Sequence, residues 1–114
     1  MEGESTRQKK VSRLIQKDIA GILTLKVGEI VPGKIVSVTK VRITPDLSIA
    51  RVYLSFFPSD NQEEDIKAMQ ANTGKIRFEL GQKVRSQLRI VPELVFYLDD
   101  SQDYIDKIDK LLKS

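Results

Sequence analysis

Residues 41–55 read Val41-Arg42-Ile43-Thr44-Pro45-Asp46-Leu47-Ser48-Ile49-Ala50-Arg51-Val52-Tyr53-Leu54-Ser55. Two apolar-rich runs, each with a partly alternating pattern of apolar and polar residues, flank a Pro-Asp turn, which is typical of a β-hairpin. Pro45 presets the φ angle of the turn, and the side chains of Asp46 and Ser48 can bond back to the local backbone. We therefore predict strands over about residues 34–43 and 49–57. The second strand places four apolar residues on one face: Ala50, Val52, Leu54 and Phe56.

The segment before the hairpin has the pattern of an amphipathic helix over about residues 6–24. Its apolar residues recur at helical spacing: Val11, Leu14, Ile15, Ile19, Ile22 and Leu23. Ser5 and Gln8 fit a capping box, in which each side chain satisfies a free N–H group of the first turn. Residues 25–33 contain glycines and a proline and are predicted to form a loop. We expect residues 1–4 to be disordered.

The segment after the hairpin predicts further helices and a third strand. Residues 62–87 carry short apolar stripes interrupted at Asn72-Thr73-Gly74, where glycine costs about 1 kcal/mol relative to alanine and threonine prefers a capping position. A kink between two helices is therefore expected there. The third strand is predicted over about residues 88–98, with Leu94, Phe96 and Leu98 on one face. Pro92 cannot donate to a ladder, which favours an edge position or a bulge for the first half of this strand.

The resulting element order, α-β-β-α-α-β, predicts an α+β domain in which helices pack on one face of a small three-stranded mixed sheet. A length of 114 residues suits one domain. We assign residues 1–98 to this domain and residues 99–114 to a C-terminal helical extension. Ser101 would cap the extension, whose apolar residues recur at helical spacing: Tyr104, Ile105, Ile108, Leu111 and Leu112.

Composition argues against several kinds of catalytic site. The chain has no cysteine and no histidine, so disulfides, catalytic triads and the usual zinc or redox sites are excluded. No complete Gly-x-x-x-x-Gly-Lys-Ser/Thr loop is present to hold nucleotide phosphates. We interpret the carboxylates at 63–65 and 99–100 as solvated charge at helix starts rather than as a magnesium site or an acid/base pair. We therefore expect neither an enzyme nor a bound cofactor or metal.

The hydropathy of the sequence indicates in which cellular compartment the protein is found. No apolar run approaches the roughly 20 residues needed to span a bilayer. The N-terminus lacks the basic, apolar and small-residue pattern of a secretory signal. We therefore expect a soluble, cytoplasmic protein without a membrane partner, and we expect a monomer.

Positive charge is segregated along the chain. Lys and Arg number 19 against 16 Asp and Glu, which gives a net charge of +3 and a pI near 9.2. Before the hairpin, the candidate phosphate contacts are Arg7, Lys9, Lys10, Arg13 and Lys17. After it, they are Lys75, Arg77, Lys83, Arg85 and Arg89. Glu79 is the one acidic residue among the second group, although each cation taken alone also fits an ordinary solvated helix face.

Uncharged groups add to these candidates. If Thr73 and Gly74 begin a helix, their backbone N–H groups would form a further phosphate site. Tyr53 and Tyr97 are candidates for stacking on nucleic-acid bases, and a purely structural role is the alternative. Pro45, Asp46 and Ser48 are interpreted as structural residues of the turn.

Several motifs together resemble one family. Thr44-Pro45-Asp46-Leu47-Ser48 and Arg51-Val52-Tyr53 are followed by Leu88-Arg89 leading into Val91-Pro92-Glu93-Leu94. Gly74-Lys75-Ile76-Arg77, with Gly81 following, adds weaker support. In this order and at this spacing, over nearly the whole chain, the motifs closely resemble the ribosome-binding factor A family.

The resemblance implies a type II KH-like fold. Ordinary KH domains hold a single-stranded backbone with a Gly-x-x-Gly loop, and no two glycines of this chain are three residues apart. The family has an Ala-x-Gly kink between helices instead, and the aligned residues here are Asn72, Thr73 and Gly74. Gly74 keeps the position that permits a positive φ angle or a close approach, and Asn72 tolerates left-handed geometry. These three residues complete the candidate RNA-binding set.

The resemblance also implies a function. Members of the family are non-enzymatic factors that bind the free small ribosomal subunit, act near the 5′ end of 16S rRNA during late maturation and support growth in the cold. Assembly GTPases are implied as further partners, for release. Two alternatives stay open: a generic KH-like RNA-binding protein, and a protein-interaction module that uses a sheet edge or the C-terminal helix.

Overall fold

The computed structural model describes residues 5–58 and 61–99. Its elements are α1 Thr6–Ile30, β1 Ile35–Ile43, β2 Ile49–Phe57, α2 Gln62–Ala71, α3 Thr73–Val84 and β3 Glu93–Leu98. This order confirms the predicted α+β arrangement, including the break between the central helices. The predicted C-terminal helix lies outside the described residues, as do residues 1–4. Within the described ranges, no helix combines the length and the apolar character needed to cross a lipid bilayer.

The sheet has the strand order β1-β2-β3, with β1 antiparallel and β3 parallel to the central strand. The predicted apolar face of β2 is buried, since Ala50, Val52 and Leu54 expose 0% of their surface and Phe56 exposes 3%. Helix α1 packs on β1, while α2 and α3 pack on β3. The helices therefore lie on one face, as predicted, and the described part of the chain leaves the other face uncovered.

Helix α1 begins at the predicted capping box. The Ser5 hydroxyl accepts from the backbone N–H of Gln8 at 3.2 Å, and the Gln8 Oε1 accepts from the backbone N–H of Ser5 at 2.9 Å. The buried Gln8 Nε2 also donates to the carbonyl of Ile43 at 3.0 Å. The cap therefore fixes the start of α1 against the end of β1.

The end of α1 differs from the sequence prediction. The helix continues to Ile30 instead of ending near residue 24, so most of the loop predicted over residues 25–33 is helical. Val27 and Ile30 pack against the hydrophobic core. This tertiary packing outweighs the cost of Gly28 inside the helix, because most helix stability in proteins comes from the packed face.

The third strand is shorter than predicted, since β3 begins at Glu93 and residues 88–92 are not part of a strand. Pro92 is fully buried and has no N–H to give to a ladder. The backbone carbonyls of this segment accept hydrogen bonds from the Arg77 side chain. Nε donates to the carbonyl of Pro92 at 3.0 Å, and Nη2 donates to that of Val91 at 2.8 Å. Arg77 thus joins α3 to the segment that leads into β3.

Helix α2 is anchored at both ends, which fixes the position of the break that follows it. The buried carboxylate of Asp65 forms an ion pair with Lys34 Nζ at 2.7 Å, just before β1. Near the other end, Gln70 Nε2 donates to the carbonyl of Phe96 at 3.0 Å, on the edge strand β3. These contacts tie α2 to both sides of the sheet.

The hairpin turn depends on one carboxylate, as the sequence predicts. Asp46 Oδ1 accepts from the Thr44 hydroxyl at 2.7 Å, from the Ser48 hydroxyl at 2.7 Å and from the backbone N–H of Ser48 at 3.1 Å. Leu47, between them, has a φ angle of 63°, a left-handed conformation that is unfavourable for a residue with a Cβ. The hydrogen bonds from Ser48, then from Thr44, lower the pKa of Asp46 to about 2.

We predict that Asp46→Ala lowers the melting temperature at neutral pH, because the left-handed turn loses its central acceptor. The folded pKa of Asp46 lies below its ordinary value of 3.8, so its stabilising effect is complete above that value and is lost as the pH falls towards about 2. Thermal unfolding followed by circular dichroism at pH 7 and pH 3 should show a smaller gap between the two proteins in acid. Asp46→Asn, which keeps one acceptor oxygen, should be less destabilised. An equal gap at both pH values would contradict this account.

Candidate nucleic-acid interface

A groove of about 500 Å³ lies between the last turns of α1 and the break before α3. Residues from both helices line it: Ile22, Lys26, Glu29 and Ile30 from α1, and Asn72, Gly74, Lys75, Ile76, Phe78 and Glu79 beside them. Lys26 Nζ forms ion pairs with Glu79 at 3.1 Å and with Glu29 at 3.8 Å. The hydrogen bond and charge of Glu79, assisted by Glu29, raise the pKa of Lys26. This α1 wall was not predicted, because the helix was expected to end near residue 24 and it continues to Ile30.

The break between α2 and α3 is made by Asn72, with φ −105° and ψ 13°. Its Nδ2 donates to the carbonyl of Ala68 at 2.8 Å, and the Thr73 hydroxyl donates to that of Gln70 at 2.7 Å. The predicted kink is therefore present with Asn72 at this position. Left-handed geometry is not used, since the described residues with positive φ are Leu47 and Gly33.

Gly74 is open to an approaching partner. A Cβ added at this position would meet no atom of the described chain within 4 Å. No side chain of the described residues caps the first turn of α3, which begins at Thr73. The close approach that sequence analysis expected at Gly74 is therefore sterically available, whereas the positive φ angle is not adopted.

Phe78 is a surface aromatic residue that sequence analysis missed. It exposes 69% of its surface and lines both the α1 groove and a second, shallower groove with Gly81 and Val91. The sequence could have indicated that Phe78 is exposed, because Phe78 lies off the apolar stripe of Ile76 and Leu80, both of which are buried. An exposed aromatic ring beside a cation is the arrangement that single-stranded nucleic acid binds by stacking.

The predicted cations of and after α3 have two different environments. Four of them are exposed and form no ion pair with any described residue: Lys75, Lys83, Arg85 and Arg89. Arg77 is different, because two of its nitrogens donate to the carbonyls that precede β3. The structure thus gives Arg77 a structural contact in addition to its predicted role.

The predicted cations of α1 form a separate group. All five are exposed: Arg7, Lys9, Lys10, Arg13 and Lys17. At 100° per residue, all except Arg7 fall within an arc of about 100° on the side of the helix away from the buried stripe. None of them lines the groove at the kink. Lys75 lies at the kink, whereas Lys83, Arg85 and Arg89 lie at or beyond the far end of α3. The α1 cations therefore form a separate row.

The two candidate tyrosines lie elsewhere, on the sheet face opposite the helices. Tyr53 of β2 and Tyr97 of β3 are register partners, and their rings stack on each other with centroids 5.3 Å apart. Among the described residues, no group of three or more His, Cys, Asp and Glu is arranged to hold a metal ion.

Comparisons with known proteins identify the family. A sequence profile described as Ribosome-binding factor A matches residues 7–112. Ribosome-binding factor A of Christiangramia forsetii is 50% identical over 111 residues, which cover 96% of this chain and 85% of the relative. That of Flavobacterium johnsoniae is 49% identical over 113 residues with the same coverage.

Solved structures agree with the fold. The crystal structure of ribosome-binding factor A from Thermus thermophilus has a TM-score of 0.66 at 19% identity, covering 80% of this chain and 94% of that chain. A homology model of the Thermus thermophilus factor, fitted into a cryo-EM map of a 30S complex, has a TM-score of 0.58 at 19% identity, with coverage of 86% and 97%. Because the family profile spans nearly the whole chain and relatives share about half of its residues, this protein belongs to the ribosome-binding factor A family.

Proposed function

We propose that this protein is a non-enzymatic assembly factor that binds the free small ribosomal subunit and assists late maturation and 5′-end processing of 16S rRNA. Family membership supports the ribosome as its partner. The Thermus thermophilus relative has been fitted into a map of a 30S complex, which supports the small subunit in particular. The observation that carries the proposal is the kink surface, where an open glycine, an unpaired lysine and an exposed aromatic ring adjoin one groove.

The chemistry of this surface suits folded RNA. Lys75, Lys83 and Arg85 present positive charge that no described carboxylate neutralises, so phosphates can replace their water without breaking an ion pair. Phe78 offers a ring face to an unstacked base. The α1 row supplies a second set of phosphate contacts. Placement on a folded rRNA surface, more than base readout, follows from contacts of this kind.

Binding of this kind acts on the rRNA by population shift. A factor that prefers an immature arrangement of the rRNA shifts the equilibrium towards it by no more than the difference in affinity for the two states. Its release then needs a partner, for which we propose an assembly GTPase. We further propose that the protein acts as a monomer in the cytoplasm and supports growth in the cold.

The proposal predicts that the triple variant Lys75→Gln, Lys83→Gln, Arg85→Gln binds free small subunits more weakly than the unchanged protein. Each lost phosphate contact should reduce the slope of log affinity against log salt by about 0.7 to 0.9. Sedimentation of the protein with purified small subunits at about 50 to 200 mM KCl measures both quantities. Arg77 is left unchanged because its loss would disturb the approach to β3.

The matched control for this variant is Lys67→Gln, an exposed lysine of α2 outside both candidate groups. It should leave affinity and salt slope unchanged. A triple variant with the affinity and slope of the unchanged protein would exclude the α3 surface as the contact with the subunit.

A second prediction concerns Gly74→Ala. The added methyl group meets no described atom within 4 Å, and alanine is favoured over glycine in a helix by up to about 1 kcal/mol, so stability should be unchanged or slightly raised. Affinity for the small subunit should nevertheless fall, because the methyl group occupies the space needed by an RNA backbone. Urea unfolding and sedimentation measure the two effects separately.

Gly28→Ala is the matched control, since a Cβ there also meets nothing within 4 Å and Gly28 does not line the groove. Unchanged subunit affinity in both variants would show that no partner approaches Gly74 closely.

A further inference from the structure

The sheet face opposite the helices carries a row made of one lysine and two tyrosine rings. Lys40, Tyr53 and Tyr97 are register partners across β1, β2 and β3. The Lys40 Nζ lies 4.6 Å from the centroid of the Tyr53 ring, and the Tyr53 and Tyr97 rings stack at an interplanar angle of 23°. Tyr53 is thus positioned on the central strand between a cation and a second ring, which pre-orders all three side chains.

The row ends in an open ring. Tyr97 lies on the edge strand β3 and exposes 40% of its surface. Within residues 5–58 and 61–99, Tyr53 is the one aromatic ring that contacts it. A base stacked on the outer side of Tyr97 would extend the existing stack without rearranging it, and every base has a π-face suited to this.

The next row contains an unfavourable pair of charges. Arg42 and Arg51 are direct register partners on β1 and β2, both exposed, and like charges directly opposite each other destabilise a sheet. The third position of the row is Val95, which carries no charge. No ion pair among the described residues involves Arg42, Arg51 or Lys40. An anion held between the two guanidinium groups would remove the repulsion, and phosphate matches their geometry.

The described carboxylates of this face lie at the two limits of β3. Glu93 is its first residue, and Asp99 follows its last and accepts a hydrogen bond from Thr39. The middle of the face therefore combines a ring platform with an arginine pair. Alternate residues of a strand are about 7 Å apart and neighbouring strands about 4.8 Å apart, so a short segment of a few consecutive nucleotides can reach both the ring platform and the arginine pair.

We infer that this sheet face binds an unpaired RNA segment, with a base stacked on Tyr97 and a phosphate between Arg42 and Arg51. This surface is separate from the kink, which lies in the helical layer. The inference rests on the proposed function in one respect: both take RNA as the ligand. Such a protein contacts RNA on two opposite faces at once. It can therefore hold a single-stranded segment beside the folded rRNA on which its helices dock.

The test uses the full chain and a fluorescein-labelled dodecauridylate in a low-salt anisotropy titration. Tyr97→Leu should weaken binding about 5- to 140-fold, the range expected for removal of one stacking ring. Tyr97→Phe, which keeps the ring, should bind within about twofold of the unchanged protein. Leu25→Ala changes an exposed apolar side chain of α1 that lines neither groove, and it should leave oligonucleotide affinity unchanged.

A second variant keeps the inference testable if Tyr97→Leu fails to fold. Arg42→Gln with Arg51→Gln changes two exposed side chains and should reduce the salt slope by about 0.7, the value for the one phosphate that the two arginines share on a single strand. Circular dichroism shows whether each variant is folded.

Three results would overturn the inference: oligonucleotide affinity equal in Tyr97→Leu and the unchanged protein, equal losses in Tyr97→Leu and Tyr97→Phe, or equal losses in Tyr97→Leu and Leu25→Ala. Binding of an apolar peptide in place of the oligonucleotide, at the exposed Ile35 and Phe57 of the same face, would also overturn it. The proposed docking surface at the kink and the inferred RNA site on the sheet can be overturned independently of each other. Small-subunit binding lost in the kink variants but kept in Tyr97→Leu supports the docking surface alone, and oligonucleotide binding without subunit binding supports the sheet face alone.

Discussion

The alternation of buried and solvent-facing residues along β2 is the constraint on which the rest of the structure depends. One face of this central strand is fully buried beneath the helices, and the other carries Arg51 and Tyr53 on the uncovered side. Because side chains of a strand alternate between faces, the covered side needs apolar residues and the open side is free to carry polar ones. The molecule therefore has two separate candidate binding surfaces, one formed by helices and one by the sheet itself.

Much of the fold could be predicted because its signals are local. The Pro-Asp turn, the alternation of β2 and the capping box at Ser5 each act within a few residues. The end of α1 and the start of β3 could not be predicted, because distant contacts decide them. Val27 and Ile30 reach the core, and Arg77 bonds the carbonyls before β3 across fourteen or more residues. Both outcomes are cases in which tertiary packing overrides local preference.

The sequence predicts the charged residues of the candidate site, but it does not predict the groove that Lys75 lines. Lys75, Lys83 and Arg85 could be identified as cations with few acidic neighbours, and the structure leaves them exposed. The groove itself needed the extension of α1, and Phe78 was overlooked because its exposure depends on which side of α3 packs. Gly74 was expected for its backbone freedom, yet its φ angle is not positive, and its position in the groove is what makes it a candidate contact. On the sheet, the Arg42–Arg51 pair depends on strand register, which a β-bulge between Val38 and Lys40 helps to set.

Selective binding to the free small subunit is the central claim, and sedimentation of the purified protein tests it most directly. The protein would be pelleted with free small subunits, whole ribosomes and an unrelated folded RNA across a salt series. The account predicts association with free small subunits in preference to the others, weakening about 100- to 500-fold between 50 and 200 mM salt for five phosphate contacts. Equal binding to every RNA would contradict it and leave a generic KH-like RNA-binding domain. Salt-insensitive binding to a protein partner, with none to RNA, would contradict it in favour of an interaction module.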